Sequence, residues 1–329
     1  MAKHIVHKCI FVFSMTHDLL TMTRIKNYLS LVKFSHTIFA MPFALIGFFL
    51  GIIQLNRIPH VYYNANLVKN NFQKTEIFFQ GNWYLFILVV ICMITARSAA
   101  MAFNRYLDRS FDEKNPRTAI REIPKGIISA NSALRFVILS SAIFVLSTYF
   151  INNICFYLSP VALFTILFYS YTKRFTFLCH LVLGIGLSLA PIGAYLAVTG
   201  VFALLPILFS FSVVFWVSGF DIIYALQDID FDQSQQLYSI PSTVGKTKAL
   251  RVSELFHLLS AACVIAAGVY GNFHWIYWIG ILVFVGMLVY QHSIVKPNDL
   301  SKVNIAFMTA NGIASVVFAV FVIADLFLG

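Results

Sequence analysis

The chain has 329 residues, 60% of them hydrophobic and 11% charged, with a net charge of +10. A water-soluble globule must cover its outside with polar groups and draws roughly 25% of its residues from the charged types, so this composition excludes one. Five scattered cysteines with no C-x-x-C pair exclude a disulfide scaffold, and nine Pro with sixteen Gly exclude a low-complexity chain.

Residues 1–22 carry Lys3 and Lys8 ahead of a short apolar stretch, Cys9–Phe13. That stretch is too short for a signal peptide and lacks a small-residue cleavage site. The segment reads as a poorly ordered tail, with Met22 as an alternative start. Nine apolar runs follow, each near the roughly 20 residues a helix needs to cross a bilayer core. They are Phe34–Ile53, Trp83–Leu107, Ala133–Phe150, Ile154–Tyr171, Leu178–Val198, Phe202–Leu226, Leu255–Tyr270, Trp275–His292 and Ile305–Phe327. The runs are continuous, whereas a membrane barrel would alternate over short segments, so nine transmembrane helices are expected. The Asn-rich stretch Gln54–Asn82 is expected as an outer loop, and Ile151-Asn152-Asn153 as a tight turn.

With nine spans, the N-terminal tail and the second-to-third, fourth-to-fifth, sixth-to-seventh and eighth-to-ninth loops share one side. Every Lys and Arg belongs to that side except Arg57, Lys69, Lys74 and Arg97. Basic residues collect in the cytoplasm, so the N-terminus and these loops are expected there, in a protein of the cytoplasmic membrane. Trp83, Trp275 and Trp278 fall at the opposite ends of their spans, as an aromatic belt does. The positive charge is thereby a topology signal. No soluble module is present to make it a nucleic-acid footprint.

The chain has thirteen acidic residues, and seven fall in two tight groups. Asp108, Asp112 and Glu113 follow the second span; Asp221, Asp228, Asp230 and Asp232 end the sixth. Steps of four place Asn104, Asp108 and Asp112 on one helical face, and steps of three and four do the same for Asp221, Tyr224, Asp228 and Asp232. A carboxylate near a membrane core is costly, and like charges at this spacing repel. Acids in such number imply a positive partner between them. Carboxylate and amide oxygens suit Mg²⁺, which takes one or two carboxylates and fills its other positions with water and substrate phosphate. Two facing groups, each holding one Mg²⁺, would cradle a diphosphate. Arg117 and Arg121 after the first group, and Lys173 and Arg174 closing the fourth span, suit phosphate as well. One D-x-x-x-D alone is commonly a solvated helix end, and Glu113 and Asp230 fit that plain reading. Asp221, beside Gly219 and Phe220, lies too deep for it. A cation-coupled transporter is the competing class. Its acids sit near the midplane on broken helices in inverted repeats, whereas here they gather at one face.

At these residues the sequence resembles the UbiA superfamily of intramembrane prenyltransferases, over nearly the whole chain from about Thr23. Asn104…Asp108…Asp112 is similar to the family's N-x-x-x-D-x-x-x-D motif, and Asp221…Tyr224…Asp228…Asp232 to its D-x-x-Y-x-x-x-D-x-x-x-D motif. Arg117-Thr118…Arg121…Pro124 and Tyr169…Tyr171-Thr-Lys173-Arg174…Thr176 resemble two further elements. Within the superfamily the likeness is greatest to 4-hydroxybenzoate polyprenyltransferases. Lys33-Phe34-Ser35-His36…Pro42-Phe43-Ala44 resembles a branch also linked to menaquinone synthesis by the futalosine route. Arg105 stands where many relatives have Asp, Ser170 replaces a Pro, and Cys179-His180 replace a Pro-Gln pair.

The resemblance implies an all-α domain over 23–329, a nine-helix bundle around a central cavity open to the cytoplasm and laterally to lipid. It implies Mg²⁺-dependent transfer of a polyprenyl group from its diphosphate to the ring carbon of an aromatic acid, with no nucleic acid and no obligate protein partner. Asn104, Asp108 and Asp112 would hold one Mg²⁺, and Asp228 and Asp232 the other. Arg117, Arg121, Lys173 and Arg174 would clamp the diphosphate. Asp221 would act as base or orienter, and Tyr224 would stabilise the cation or hydrogen-bond a carboxylate. Arg97, Lys33 and His36 are candidates for the acceptor's carboxylate. A naphthoate or futalosine-route acceptor stays open beside 4-hydroxybenzoate.

Overall fold

The computed structural model describes residues 25–33, 39–55, 68 and 70–329. The expected tail 1–22, its alternative start and His36 lie outside the described residues. A short helix α1 covers 25–31. Then come α2 (Met41–Gln54), α3 (Asn71–Leu107), α4 (Arg109–Lys114), α5 (Ala130–Ile151), α6 (Asn153–Thr172), α7 (Cys179–Thr199) and α8 (Leu204–Ala225). A 3₁₀ turn (Leu226–Asp228) leads into α9 (Ile229–Ser234), α10 (Ile240–Val244), α11 (Lys246–Tyr270) and α12 (Trp275–Ile294). A π turn (Ile305–Ala310) opens the last helix, α13 (Asn311–Leu328).

Among the described residues, eight helices are long and apolar enough to cross a membrane, so this is an integral membrane protein. Against the nine expected spans, α2 is the shorter one. Its 14 residues rise about 21 Å at 1.5 Å each, less than the ~30 Å of a hydrocarbon core. The expected outer loop is also corrected, because residues 71–82 are already helical. Their polar composition hides them from a hydropathy reading. The signal for them is the cap: the Asn70 side chain accepts from the Gln73 amide at 2.9 Å. The helix bends at Asn82 (φ −129°, ψ 19°), whose Nδ2 donates to the Phe78 carbonyl at 3.2 Å. The tight turn holds as expected. Asn152 caps α6 by accepting from the Cys155 amide at 2.9 Å, and its Nδ2 donates to Leu196 O on α7 at 2.8 Å.

Aromatic side chains fill the core between α2, α8, α12 and α13, with Phe43, Phe209, Trp216, Phe284 and Phe318 all buried. Trp216 needs a partner for its indole N–H. Asn311 supplies it: Oδ1 accepts from Trp216 Nε1 at 2.8 Å and from Gln291 Nε2 at 2.9 Å. The Asn311 Nδ2 donates to Ala306 O and Phe307 O, satisfying carbonyls at the π turn. Close backbone approach brings α2 against α7. A Cβ on Gly47 would lie 2.0 Å from Pro191 O, so only glycine fits there.

Both acidic motifs straddle a helix break. Asp108 caps α3, and α4 starts one residue later. Asp228 ends the 3₁₀ turn after α8. The chain keeps the four-residue rhythm across the first break, with Asp108 N donating to Asn104 O at 2.9 Å and Asp112 N to Asp108 O at 2.8 Å.

Candidate active site

The two broken helix ends face one cavity of about 580 Å³. Asn104, Asp108 and Asp112 line one side of it; Asp221, Tyr224, Asp228 and Asp232 line the other. Arg97, Arg117, Arg121, Lys173 and Lys33 also reach this cavity. Lys33 is exposed, with its backbone in the left-handed region (φ 46°). Arg174, behind the wall, reaches Asp108 instead.

Four acid–base pairs organise the cavity. Arg117 forks onto Asp228, Nε to Oδ1 at 2.9 Å and Nη2 to Oδ2 at 2.5 Å. Arg121 pairs with Asp112 at 2.6 Å, Arg174 with Asp108 at 2.9 Å, and Lys173 with Asp232 at 3.2 Å. The bases expected to clamp a diphosphate thus already carry a carboxylate each. Buried carboxylates need counter-charge, and these are the bases within reach. Arg117 lies just after the first motif yet pairs with the second, so its loop bridges the two groups. Burial draws the Arg117 guanidinium down, but the Asp228 charge and its hydrogen bonds outweigh that and hold it above its ordinary value. Lys173 behaves alike, with burial opposed and outweighed chiefly by Asp232. Asp108 goes the other way: burial pushes its carboxyl above the usual range against the pull of Arg174.

Amides and hydroxyls complete some carboxylates. Asn104 Nδ2 donates to Asp108 Oδ2 at 2.9 Å, Asn115 Nδ2 to Asp228 Oδ1 at 3.3 Å, and Ser239 Oγ to Asp232 Oδ2 at 3.0 Å. Asp112 Oδ2 is buried without a partner. Among the described residues no three His, Cys, Asp or Glu side chains converge as a metal cage. That donor set fits Mg²⁺ held by one or two carboxylates together with substrate phosphate, and the orphaned Asp112 oxygen is a free ligand position.

The Tyr224 hydroxyl meets Arg117 rather than a carboxylate. Its hydroxyl accepts from Arg117 Nη1 at 3.0 Å, Arg117 lies over its ring at 5.3 Å, and Phe307 stacks on it at 4.2 Å. Asp221 Oδ2 meets His180 Nδ1 at 2.7 Å. Arg97 has a buried Nε without a partner. It sits where the polar cavity meets an apolar chamber of about 390 Å³ between α3, α5, α6 and α7, together with Met101, Tyr169, Leu183 and Leu187.

Sequence reasoning missed Asn115, Ser239, Phe307 and the pairing of His180. Ser239 has a local signal, since Ser239 and Ser242 form the capping box of α10. His180 shows only as a departure from a familiar pattern.

A family model described as the UbiA prenyltransferase family matches residues 79–313. A 4-hydroxybenzoate octaprenyltransferase of Nitrosospira multiformis is 29% identical over 71% of this chain and 81% of its own length. One from a Shewanella species is 31% identical over 68% and 78%. Among solved structures, a UbiA homologue from Aeropyrum pernix superimposes with a TM-score of 0.72 at 28% identity, covering 88% of this chain and 98% of that one. A UbiA homologue from Archaeoglobus fulgidus, solved with GPP and Mg²⁺, shares the fold at a TM-score of 0.62 and 17% identity, over 91% and 99%. The extent of the match, from the bend in α3 to the start of α13, places both carboxylate motifs inside it: the chain belongs to the UbiA prenyltransferase family.

Proposed function

We propose that this enzyme transfers a polyprenyl group from its diphosphate to a ring carbon of a hydroxylated aromatic acid of the 4-hydroxybenzoate type, for quinone synthesis. One observation carries the reading: two carboxylate groups face a single cavity together with Arg97, Arg117, Arg121 and Lys173, and that cavity adjoins an apolar chamber. The names of the curated relatives agree with this acceptor, and the Archaeoglobus homologue was solved with a prenyl diphosphate and Mg²⁺. Asn104, Asp108 and Asp112 would hold one Mg²⁺, and Asp228 and Asp232 a second. When bound, these ions stabilise the charge that grows on the departing diphosphate.

The chain's own residues do the rest. Arg117, Arg121, Lys173 and Arg174, each paired with a carboxylate in the structure, would turn to the diphosphate oxygens. The prenyl tail lies in the apolar chamber, out of water. Arg97, at the junction, takes the acceptor's carboxylate, with Lys33 on the polar cavity as a further cation; His36 is a further candidate on its sequence position alone. Asp221 receives the hydroxyl proton of the acceptor, which raises the ring's nucleophilicity. Enclosure keeps water from the allylic cation. The enzyme sits in the cytoplasmic membrane with its N-terminus and cavity mouth in the cytoplasm, following the basic loops. The second reading is a naphthoate or futalosine-route acceptor. The Lys33-Phe34-Ser35-His36…Pro42-Phe43-Ala44 segment, which resembles the futalosine-linked branch, supports it.

The test supplies membranes containing the protein with a labelled polyprenyl diphosphate and a panel of aromatic acids, with and without EDTA. Transfer requires the divalent ion, and Asp108→Ala and Asp228→Ala each lose on the order of 10²–10³-fold in turnover. Near-normal activity in either variant overturns the ligand assignment. Cation transport without diphosphate release would make the protein a transporter.

A further inference from the structure

We infer that His180 is a positioning residue for the transfer: its imidazole fixes the Asp221 carboxylate with one oxygen held and the other free to face the acceptor. The inference rests on the proposed function and adds a residue to it.

Asp221 stands deepest of the acids, on α8 one turn before Tyr224. A lone carboxylate there could turn to several rotamers. His180 Nδ1 lies 2.7 Å from Asp221 Oδ2. The bond joins the first turn of α7 to α8 across 41 residues of chain. The His180 side chain is 1% exposed, whereas that of Asp221 is 24% exposed. Both residues line the cavity, with the carboxylate the more exposed partner and the imidazole the more deeply packed. With an ionised carboxylate as acceptor, Nδ1 of the ring carries a proton. The remaining ring nitrogen, Nε2, is buried without a partner, so no competing hydrogen bond selects the other tautomer.

The scaffold around the pair is built for close approach. Ser218 Oγ, which donates to Val214 O at 2.6 Å, also lies 3.1 Å from the His180 carbonyl, bringing the two helices together one turn from the pair. One turn further on, a Cβ on Gly184 would stand 2.4 Å from Val214 O and 2.7 Å from Ser218 Oγ. Glycine at that position lets α7 come near enough to α8 for the imidazole to reach. A histidine that merely filled space would need none of this.

In the transfer step the acceptor's hydroxyl proton passes to the free oxygen of Asp221. The allylic C–O electron pair leaves with the diphosphate, and the ring's pair forms the new C–C bond. Asp221 then returns its proton to the ring oxygen as the hydrogen on the alkylated carbon leaves to water. One proton is released in all. His180 takes no proton. It orients the base and stabilises its charged form.

The experiment compares His180→Asn, which keeps an N–H near the Nδ1 position, with His180→Phe, which keeps the ring volume and removes the donor. Both are assayed in membranes with prenyl diphosphate, Mg²⁺ and the hydroxylated aromatic acid that the wild type uses, alongside Asp221→Asn and the double variant Asp221→Asn with His180→Phe. We expect kcat to fall ~30-fold in His180→Phe, as for loss of a hydrogen bond to a charged group. The KM for prenyl diphosphate should stay within about twofold, and His180→Asn should recover most of the rate. Asp221→Asn should lose roughly 10²–10⁴-fold, with no further loss in the double variant, since both act through one carboxylate. Mg²⁺-dependent binding of prenyl diphosphate, followed by thermal shift, shows that each variant is folded. A packing role predicts the reverse order, with Phe tolerated and Asn damaging. That order, or losses that multiply in the double variant, overturns the inference while the proposed function stands. A wild type that transfers to no aromatic acid overturns the proposed function, and this role falls with it.

Discussion

The two carboxylate groups are alike in sequence and unlike in their surroundings. In the second, Asp228 takes three hydrogen bonds from Arg117 and Asn115, and Asp232, 2% exposed, takes its own from Lys173 and Ser239. In the first, Asp112 has a buried oxygen with no donor, and Asp108 is pushed toward its neutral form by burial. Nearby Arg105 is 3% exposed with Nε and Nη1 unpartnered. The second group is a finished structural unit that also faces the cavity. The first is left incomplete by the protein, which is the state expected of a site completed by ligand.

Variants can break that comparison. The largest difference should appear in stability. Asp232→Ala leaves Lys173 unpaired and removes one of the two acceptors of the buried Ser239 hydroxyl, which keeps Ser242. Because Lys173 is about a third exposed, the cost is discounted to about 1–3 kcal/mol. It should be read as a lowered melting temperature in detergent. Asp108→Asn should raise the melting temperature of the metal-free protein at neutral pH while abolishing transfer. The sign follows from linkage: a carboxyl held above its ordinary value withholds stability above that value and restores it as pH falls. The advantage of Asp108→Asn should therefore shrink as pH falls into the ordinary carboxylate range. If both variants destabilise alike, the two groups are equivalent. Next in size, Arg97→Ala should raise the KM for the aromatic acid about tenfold, as for a lost charged hydrogen bond, with little change for the prenyl diphosphate. The smallest effect concerns the chamber. Ala162→Phe should fill part of it and lower turnover of long prenyl donors relative to short ones, measured with a donor series.

Much of this was legible before any coordinates. Period and hydropathy revealed the helices because a membrane core demands long apolar runs. The acids stood out because few other charges compete with them. Residues 71–82 escaped because their helix extends past the apolar run on polar residues, and only Asn70 marks its start. The partners of the acids escaped for another reason. Arg117 is nearer in sequence to Asp112 than to Asp228, yet it crosses the cavity. His180 meets Asp221 only because Gly184 lets two helices close. Such pairings belong to tertiary packing, which local spacing does not encode.

The cross-cavity pairing has a consequence for the order of loading. Four bases and four acids already neutralise one another, so beyond the free Asp112 oxygen a bare dication would have to displace a guanidinium or ammonium that stays behind as a repelling neighbour. A lone pyrophosphate meets the mirror-image penalty from the displaced carboxylates. The two arriving as one salt exchange every partner at once, with cations turning to the phosphate as acids turn to the metal. Uptake of either half should therefore be strongly cooperative with the other.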